Sequence, residues 1–236
     1  MPKSIAERIA GLDWDRLGAD LDARGNAVTG PILTPEECAD LAALYNEEAP
    51  FRSRVVMARH GFGSGEYKYF SAPLPATIAT LRTSLYPHLA ETANRWQAQT
   101  GGKAYPARHA DYLKLCHGAG QTRPTPLLLK YQTGDYNCLH QDLYGDLAFP
   151  LQATILLSDP EQDFSGGEFL LTEQRPRMQS RGEVVTLRQG EVVLFAVNQR
   201  PVQGRRGVYR VTMRHGVSRV KSGQRFTLGI IFHDAR

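Results

Sequence analysis

Three short segments carry residue types that can do chemistry together: His140-Gln141-Asp142, His215, and Arg225-Phe226-Thr227. Positions i and i+2 of a strand point to the same face, so His140 and Asp142 can reach one metal ion together. Alone, that pair is a weak signal. His215 lies in Met213-Arg214-His215-Gly216-Val217, at the start of an expected strand, and by itself it reads more readily as a satisfied core histidine than as a ligand. Taken together, two imidazoles and one carboxylate can occupy one face of an octahedron and leave neighbouring positions open, an arrangement that suits Fe(II). No cysteine stands at a spacing that favours structural zinc. Arg225 and Thr227 share one face of the apolar strand Arg225–Phe232. A guanidinium entering a β core is costly unless it meets an anion. A dicarboxylate would supply one, gripped bidentately by the arginine with a further hydrogen bond from the threonine.

Such residues need a β scaffold, and the chain after Pro126 reads as one. Short runs at Leu127–Tyr131, Leu151–Leu157, Glu168–Thr172, Glu183–Leu187, Glu191–Val197, His215–Val220 and Arg225–Phe232 alternate with turn signals such as Gly134-Asp135, Gly166-Gly167, Gln189-Gly190 and Ser222-Gly223. Many short strands at this spacing predict a sandwich or barrel. The first 125 residues read as mainly helical. Helices are expected at Ser4–Leu12 and Trp14–Arg24, then, after a strand near Asn26–Val28, from a Thr34-Pro35-Glu36-Glu37 start to about Asn46. A longer helix over Pro75–Gln99 places Leu81, Leu85 and Leu89 on one face, with Pro87 expected to bend or split it. The prediction is a single domain, 1–236, mainly β with flanking helices. Residues 1–125 form a helical and lid-bearing part packed on one sheet of a core at 126–236.

Composition agrees with a globular protein: 236 residues, 42% hydrophobic and 22% charged. No apolar run approaches membrane-spanning length and the first residues lack a secretory pattern. Cys38, Cys116 and Cys138 are odd in number and far apart, so a reducing cytoplasm is expected. From Glu173 onward there are 13 Lys/Arg against 4 Asp/Glu, whereas the earlier residues carry 15 against 20. A basic C-terminal part of this kind marks either an anionic partner or solvated strand faces.

The stretch from Tyr131 to Phe232 resembles the double-stranded β-helix (jelly-roll, cupin-like) core of the Fe(II)/2-oxoglutarate-dependent oxygenases. Tyr131-Gln132-Thr133-Gly134 leading into His140-Gln141-Asp142 is similar to the Y-x-x-G…H-x-D run of prolyl-hydroxylase-like and AlkB-type members. Phe164-Ser165-Gly166-Gly167-Glu168-Phe169 resembles their F-x-G-G-E-L turn, and Gly190–Phe195 also fits. The resemblance implies His140, Asp142 and His215 as catalytic iron ligands, and Arg225, Thr227 and Tyr131 as holders of the 2-oxoglutarate co-substrate. It implies a dioxygenase (an oxidoreductase) that consumes O2 and 2-oxoglutarate, releases succinate and CO2, and hydroxylates or oxidatively demethylates a substrate. Asp142 argues against a halogenase, where a small residue replaces the carboxylate. AlkB-type members carry a further Arg after the matching Arg and an Asn where this chain has Leu129, and Leu228–Ile231 offers no second Arg.

The substrate is not written in these motifs. Arg52–Phe70 is rich in Arg, Gly and aromatics and reads either as a mobile lid or as two strands with a flexible turn, with Arg59, Tyr67 and Tyr69 as candidate substrate contacts. Arg205–Arg210 reads as a basic exposed loop. Lid aromatics beside a basic rim would suit a flipped base and its phosphates, and the chain resembles a bacterial group of these oxygenases described as acting on damaged DNA. The alternatives are hydroxylation of a small molecule or protein side chain, or a non-catalytic cupin-like metal-binding protein. No membrane association and no obligate protein partner are expected. His60, His88, His109, His117 and His233 read as structural or surface residues.

Overall fold

The computed structural model describes residues 2–160 and 162–236. Five α-helices, α1 (Ile5–Ala10), α2 (Trp14–Arg24), α3 (Pro35–Ala43), α4 (Ala76–Thr100) and α5 (His109–Gly118), surround fourteen strands. These are β1 (Asn26–Val28), β2 (Phe51–Val56), β3 (Gly63–Ser64), β4 (Glu66–Phe70), β5 (Leu127–Gln132), β6 (Tyr136–His140) and β7 (Leu151–Leu156), followed by β8 (Phe164–Gly166), β9 (Phe169–Gln174), β10 (Arg181–Val185), β11 (Val192–Ala196), β12 (Gln199–Gly204), β13 (Gly207–Val217) and β14 (Val220–Ile230). The larger sheet runs β1-β11-β7-β14-β5-β4-β2, with β8 also on β14. The smaller runs β10-β9-β13-β6-β3, with β12 on β13. This is a double-stranded β-helix, and its apolar core is one large cluster from Ile9 to Phe232 beside a small one of Tyr69, Leu127 and Ile231.

Local chemistry sets the helix ends. Ser4 with Glu7, and Thr34 with Glu37, form reciprocal capping boxes. Two buried arginines tie helices to the sheets. Arg82 on α4 donates from Nε to the Ile231 carbonyl at 2.8 Å and from Nη2 to Asp234 Oδ1 at 2.8 Å, fixing the segment after β14. Arg200 on β12 donates to the carbonyls of Asp22 and Ala23 and pairs with Glu173, which satisfies the C-terminal carbonyls of α2.

Several expectations need correction. Pro87 does not split α4, which is continuous over Ala76–Thr100. Burial of Leu81, Leu85, Tyr86 and Leu89 on both sides of Pro87 outweighs the one missing N–H. α5 was not expected, and its start at Arg108 has no side-chain cap to announce it. The strand expected at Asn26–Val28 is present as β1, and strands before residue 126 join both sheets: β1 pairs with β11, β4 with β5 and β3 with β6. Arg52–Phe70 is two paired strands whose connecting segment crosses to the smaller sheet through β3. Residues 199–217 form a β12–β13 hairpin turning at Arg205-Arg206, so Val208–Arg210 lie in a strand and His215 stands near the end of β13. Of the arginines that suggested a loop, Arg205 and Arg206 form the turn and Arg210 sits on an outward-facing strand position.

Candidate active site

His140 closes β6 and is the direct cross-strand partner of His215 on β13, so the two rings lie side by side with centroids 4.2 Å apart. Gly216 permits that approach: a Cβ there would meet the Asn137 carbonyl oxygen at 2.7 Å. Asp142 does not share a strand with His140 as expected, because β6 has ended. It folds back from the following loop so that Oδ1 lies 3.6 Å from His140 Nε2 and Oδ2 lies 3.3 Å from His215 Nε2. Gln141 clips this loop to β13, donating to the Met213 carbonyl at 2.7 Å and to Asn198 Oδ1 at 2.8 Å.

The ligand-type atoms of His140, Asp142 and His215 all lie within 4.8 Å of one another. His140 Nδ1 is hydrogen-bonded to the Cys138 carbonyl at 2.8 Å, which leaves the Nε2 lone pair free to face the centre. Burial alone would raise the Asp142 pKa. Hydrogen bonding and charge from His215, then His140 and Tyr144, overturn this and hold the carboxylate ionised well below its usual range. Burial, then His140, lowers the His215 pKa and favours the neutral imidazole a metal requires. The donor set fits one divalent ion with an N2O face, as Fe(II) takes. Tyr144, missed from sequence, donates to Asp142 Oδ1 at 2.7 Å, and Tyr69 donates to Tyr144 at 3.0 Å.

A cavity of about 300 Å³ opens beside the cluster. Arg225 on β14 lies opposite Tyr131 on β5, and Arg225 and Thr227 both face the cavity. Arg225 is 2% exposed, yet its Nε and Nη1 are buried without a hydrogen-bond partner among the described residues. Burial pulls its pKa down to about 10. Such a cation is stable only with an anion beside it, so the pocket's own electrostatics fit a carboxylate at this end. Gly167 gives the guanidinium stem its room, since a Cβ there would stand 2.9 Å from Arg225 Cδ. The Tyr131 hydroxyl accepts from Asn137 Nδ2 at 3.3 Å.

The expected substrate contacts separate. Tyr67 lines the cavity, and Tyr69 is buried behind it on Tyr144. Arg59 is exposed and does not line the cavity, whereas Phe62, from the same connection, does. Leu129 is a cavity wall residue, so this wall is apolar where AlkB-type enzymes have an amide.

Residues 65–235 match the Oxygenase-NA family, described as oxygenases catalysing oxidative methylation of damaged DNA. A Mycobacterium tuberculosis protein is 53% identical over 167 residues, covering 70% of this chain and 72% of that protein. A 2OG-Fe(II) oxygenase-family oxidoreductase from Burkholderia pseudomallei superposes with a TM-score of 0.57 at 14% identity, over 94% of this chain and 92% of that one. A Trichoplax adhaerens prolyl hydroxylase, solved with a peptide fragment of the hypoxia-inducible factor oxygen degradation domain, gives 0.59 at 12% identity over 99% and 94%. At these identities the two structures speak for the fold. No helix among the described residues is long and apolar enough to cross a membrane. The chain belongs to the Oxygenase-NA family and, with it, to the 2-oxoglutarate- and Fe(II)-dependent oxygenases, enzymes that use Fe(II), 2-oxoglutarate and O2.

Proposed function

We propose that His140, Asp142 and His215 hold Fe(II), that Arg225, Thr227 and Tyr131 hold the distal carboxylate of 2-oxoglutarate, and that the substrate is a damaged nucleic-acid base bearing an N-alkyl group. The observation that carries the reading is the buried guanidinium of Arg225, with two of its nitrogens lacking a hydrogen-bond partner among the described residues, in the cavity that also contains the His-Asp-His cluster. When bound, Fe(II) with 2-oxoglutarate supplies the oxidation: O2 is consumed, succinate and CO2 are released, and a substrate C–H gains an oxygen.

The protein's own residues bind and orient. Arg225 neutralises and forks onto the carboxylate, Thr227 and Tyr131 complete its hydrogen bonds, and the apolar wall at Leu127 and Leu129 excludes water. Tyr144 keeps Asp142 turned toward the imidazoles. Oxygen placed on an N-methyl carbon gives a hemiaminal that collapses to formaldehyde and the free amine, so this reading predicts removal of a methyl group.

Support for a nucleic-acid substrate comes from the family description and from the cavity mouth. Phe62 lines the cavity and is 48% exposed, and Tyr136, paired with Ser64 of the adjoining β3 and 38% exposed, lies under the Arg219 guanidinium at 5.7 Å. Exposed rings beside cations are the means by which unstacked bases are gripped.

The test has two stages. Purified protein with Fe(II) and 2-oxoglutarate under anaerobic conditions should give a visible charge-transfer band that His140→Ala, His215→Ala and Arg225→Ala weaken or abolish. With O2, succinate release should rise with an N-methylated single-stranded oligonucleotide and not with its unmethylated counterpart. No band in wild type sinks the co-substrate site. A band with no response to the oligonucleotide, but with a response to a peptide or metabolite, would move the substrate to that class.

A further inference from the structure

Beyond the ion and co-substrate residues, the cavity contains one more buried polar group with nothing to bind. Gln152 on β7 lines it, is 3% exposed, and its Oε1 is buried with no hydrogen-bond partner among the described residues. β7 is buried along its whole length, and Gln152 and Thr154 are the polar pair on its cavity-facing side. Leaving a buried amide unpaired is destabilising, and the position would pack as well with an apolar residue.

Register separates this group from the co-substrate end. Thr227, Gly229 and Ile230 of β14 stand opposite Leu156, Thr154 and Ala153 of β7. Gln152 is therefore six strand positions from the level of Arg225, roughly 20 Å at the rise of an extended chain. A five-carbon dicarboxylate held by Arg225 is much shorter than that. The register instead carries Gln152 toward the end of the cavity where the His-Asp-His cluster lies. Its cross-strand partner is Phe195, whose ring packs on the His215 imidazole with centroids 4.6 Å apart.

We infer that Gln152, with the Thr154 hydroxyl beside it, is the specificity-determining group that reads the hydrogen-bonding edge of the nucleobase brought to the metal. This rests on the function proposed above and assigns the substrate end of the same cavity. A carboxamide presents a donor and an acceptor side by side and matches the adjacent acceptor and donor of a base edge. Turning the amide exchanges the two. The ring of Tyr67, also in the cavity wall, offers an aromatic surface for the same planar group.

The test uses full-length protein loaded with Mn(II) and 2-oxoglutarate, so that binding is read without turnover. The probe is a fluorescent single-stranded oligonucleotide with one N-methylated base. Gln152→Leu should weaken its binding by about tenfold to a hundredfold at fixed salt. 2-Oxoglutarate affinity, read from the Fe(II) charge-transfer band, should not move. The thermal midpoint should stay equal or rise, because an unpaired buried amide has been replaced by an apolar side chain of similar size. Gln152→Glu keeps the acceptor and loses the donor, and should shift preference among methylated bases. A lowered midpoint with unchanged oligonucleotide binding would make Gln152 a packing residue and overturn the inference. Weakened 2-oxoglutarate binding would overturn it by placing Gln152 in the co-substrate site. Wild type that gives the band but binds no oligonucleotide would refute the nucleobase assignment alone, whereas failure of the underlying reading would be seen as wild type without the band.

Discussion

Tyr144 donates to Asp142 Oδ1 at 2.7 Å, and it receives a hydrogen bond from Tyr69 at 3.0 Å. The carboxylate proposed as a metal ligand is thus held from behind by a phenol, which is itself held by a second phenol from β4. Partners of this kind fix ligand orientation and commonly carry tenfold to a hundredfold in metal affinity. Tyr144→Phe removes one oxygen and keeps the ring, so it should weaken Fe(II) or Co(II) binding by about tenfold or more. Tyr69→Phe, one bond further away, should have a smaller effect in the same direction. Equilibrium dialysis or the Co(II) visible spectrum reads both. Unchanged affinity in Tyr144→Phe would mean that the two imidazoles and the Gln141 clip suffice to set Asp142.

The chemistry of the site was legible wherever it depends on residue type. A metal needs imidazole and carboxylate and an organic dianion needs a guanidinium, so His140, Asp142, His215 and Arg225, each a weak signal alone, stood out in combination and through the motifs they share with the oxygenases. What hydrophobic periodicity could not convey is orientation beyond a strand end. Asp142 reaches the cluster through a loop, and Tyr144 matters only because that loop folds back. The β12–β13 hairpin was hidden by outward arginines, whose charge resembles that of a loop. α4 runs through Pro87 because tertiary burial outweighs a local preference. A signal for Gln152 was present, since Gln152 and Thr154 are polar at i and i+2 in an otherwise apolar run, but only the sheet register shows what they face.

The unpaired state of Arg225 predicts a linked effect on stability and binding. In the absence of an anion the buried charge is a liability, so Arg225→Leu should unfold at an equal or higher temperature than wild type. Added 2-oxoglutarate with Mn(II) should raise the wild-type midpoint through mass action and leave that of Arg225→Leu close to its value with Mn(II) alone. Arg225→Lys keeps the charge but loses the fork, and its apparent affinity for 2-oxoglutarate should fall by roughly tenfold. Thermal scans with and without ligand decide this. A wild type that gains nothing from 2-oxoglutarate would remove the guanidinium from the binding site.

Arg82 and Asp234 form a buried pair, with side chains 4% and 5% exposed and 2.8 Å between Nη2 and Oδ1. Arg82 also donates to the carbonyls of Ile231 and His233, so one side chain joins α4 to the segment following β14. Removing Arg82 leaves the buried Asp234 carboxylate with the His117 imidazole, 2.8 Å away, in place of a fixed cation. Arg82→Leu should therefore lower the unfolding free energy by about 3–5 kcal/mol in urea titrations. The double variant Arg82→Leu with Asp234→Leu should recover part of that loss, because the stranded carboxylate is gone. A loss no smaller in the double variant would assign the effect to the carbonyl contacts rather than to the ion pair.

His109 and His233 predict how stability responds to acid. Both are buried, and burial, reinforced by the positive charge of Arg82, lowers each pKa from 6.5 to about 4. Each has a neutral role: His109 Nε2 is 2.8 Å from the Phe232 carbonyl, and His233 Nδ1 accepts from the Phe149 N–H at 3.2 Å. In the unfolded chain both take up protons as pH falls below about 6.5, whereas the folded protein resists until pH approaches about 4. The unfolded state therefore binds more protons across this window, and stability is lost as pH drops through it. The limiting slope is about 1.4 kcal/mol per pH unit for each histidine, so each can remove roughly 3 kcal/mol by pH 4. Urea unfolding from pH 7 to pH 4 should show this decline beginning near pH 6.5. His109→Gln retains a donor for the Phe232 carbonyl and His233→Asn retains an acceptor for the Phe149 N–H, and neither titrates, so each should flatten the profile. If the wild-type slope between pH 6 and pH 5 persists undiminished in the double variant, the acid sensitivity belongs to other groups and the two histidines do not govern it.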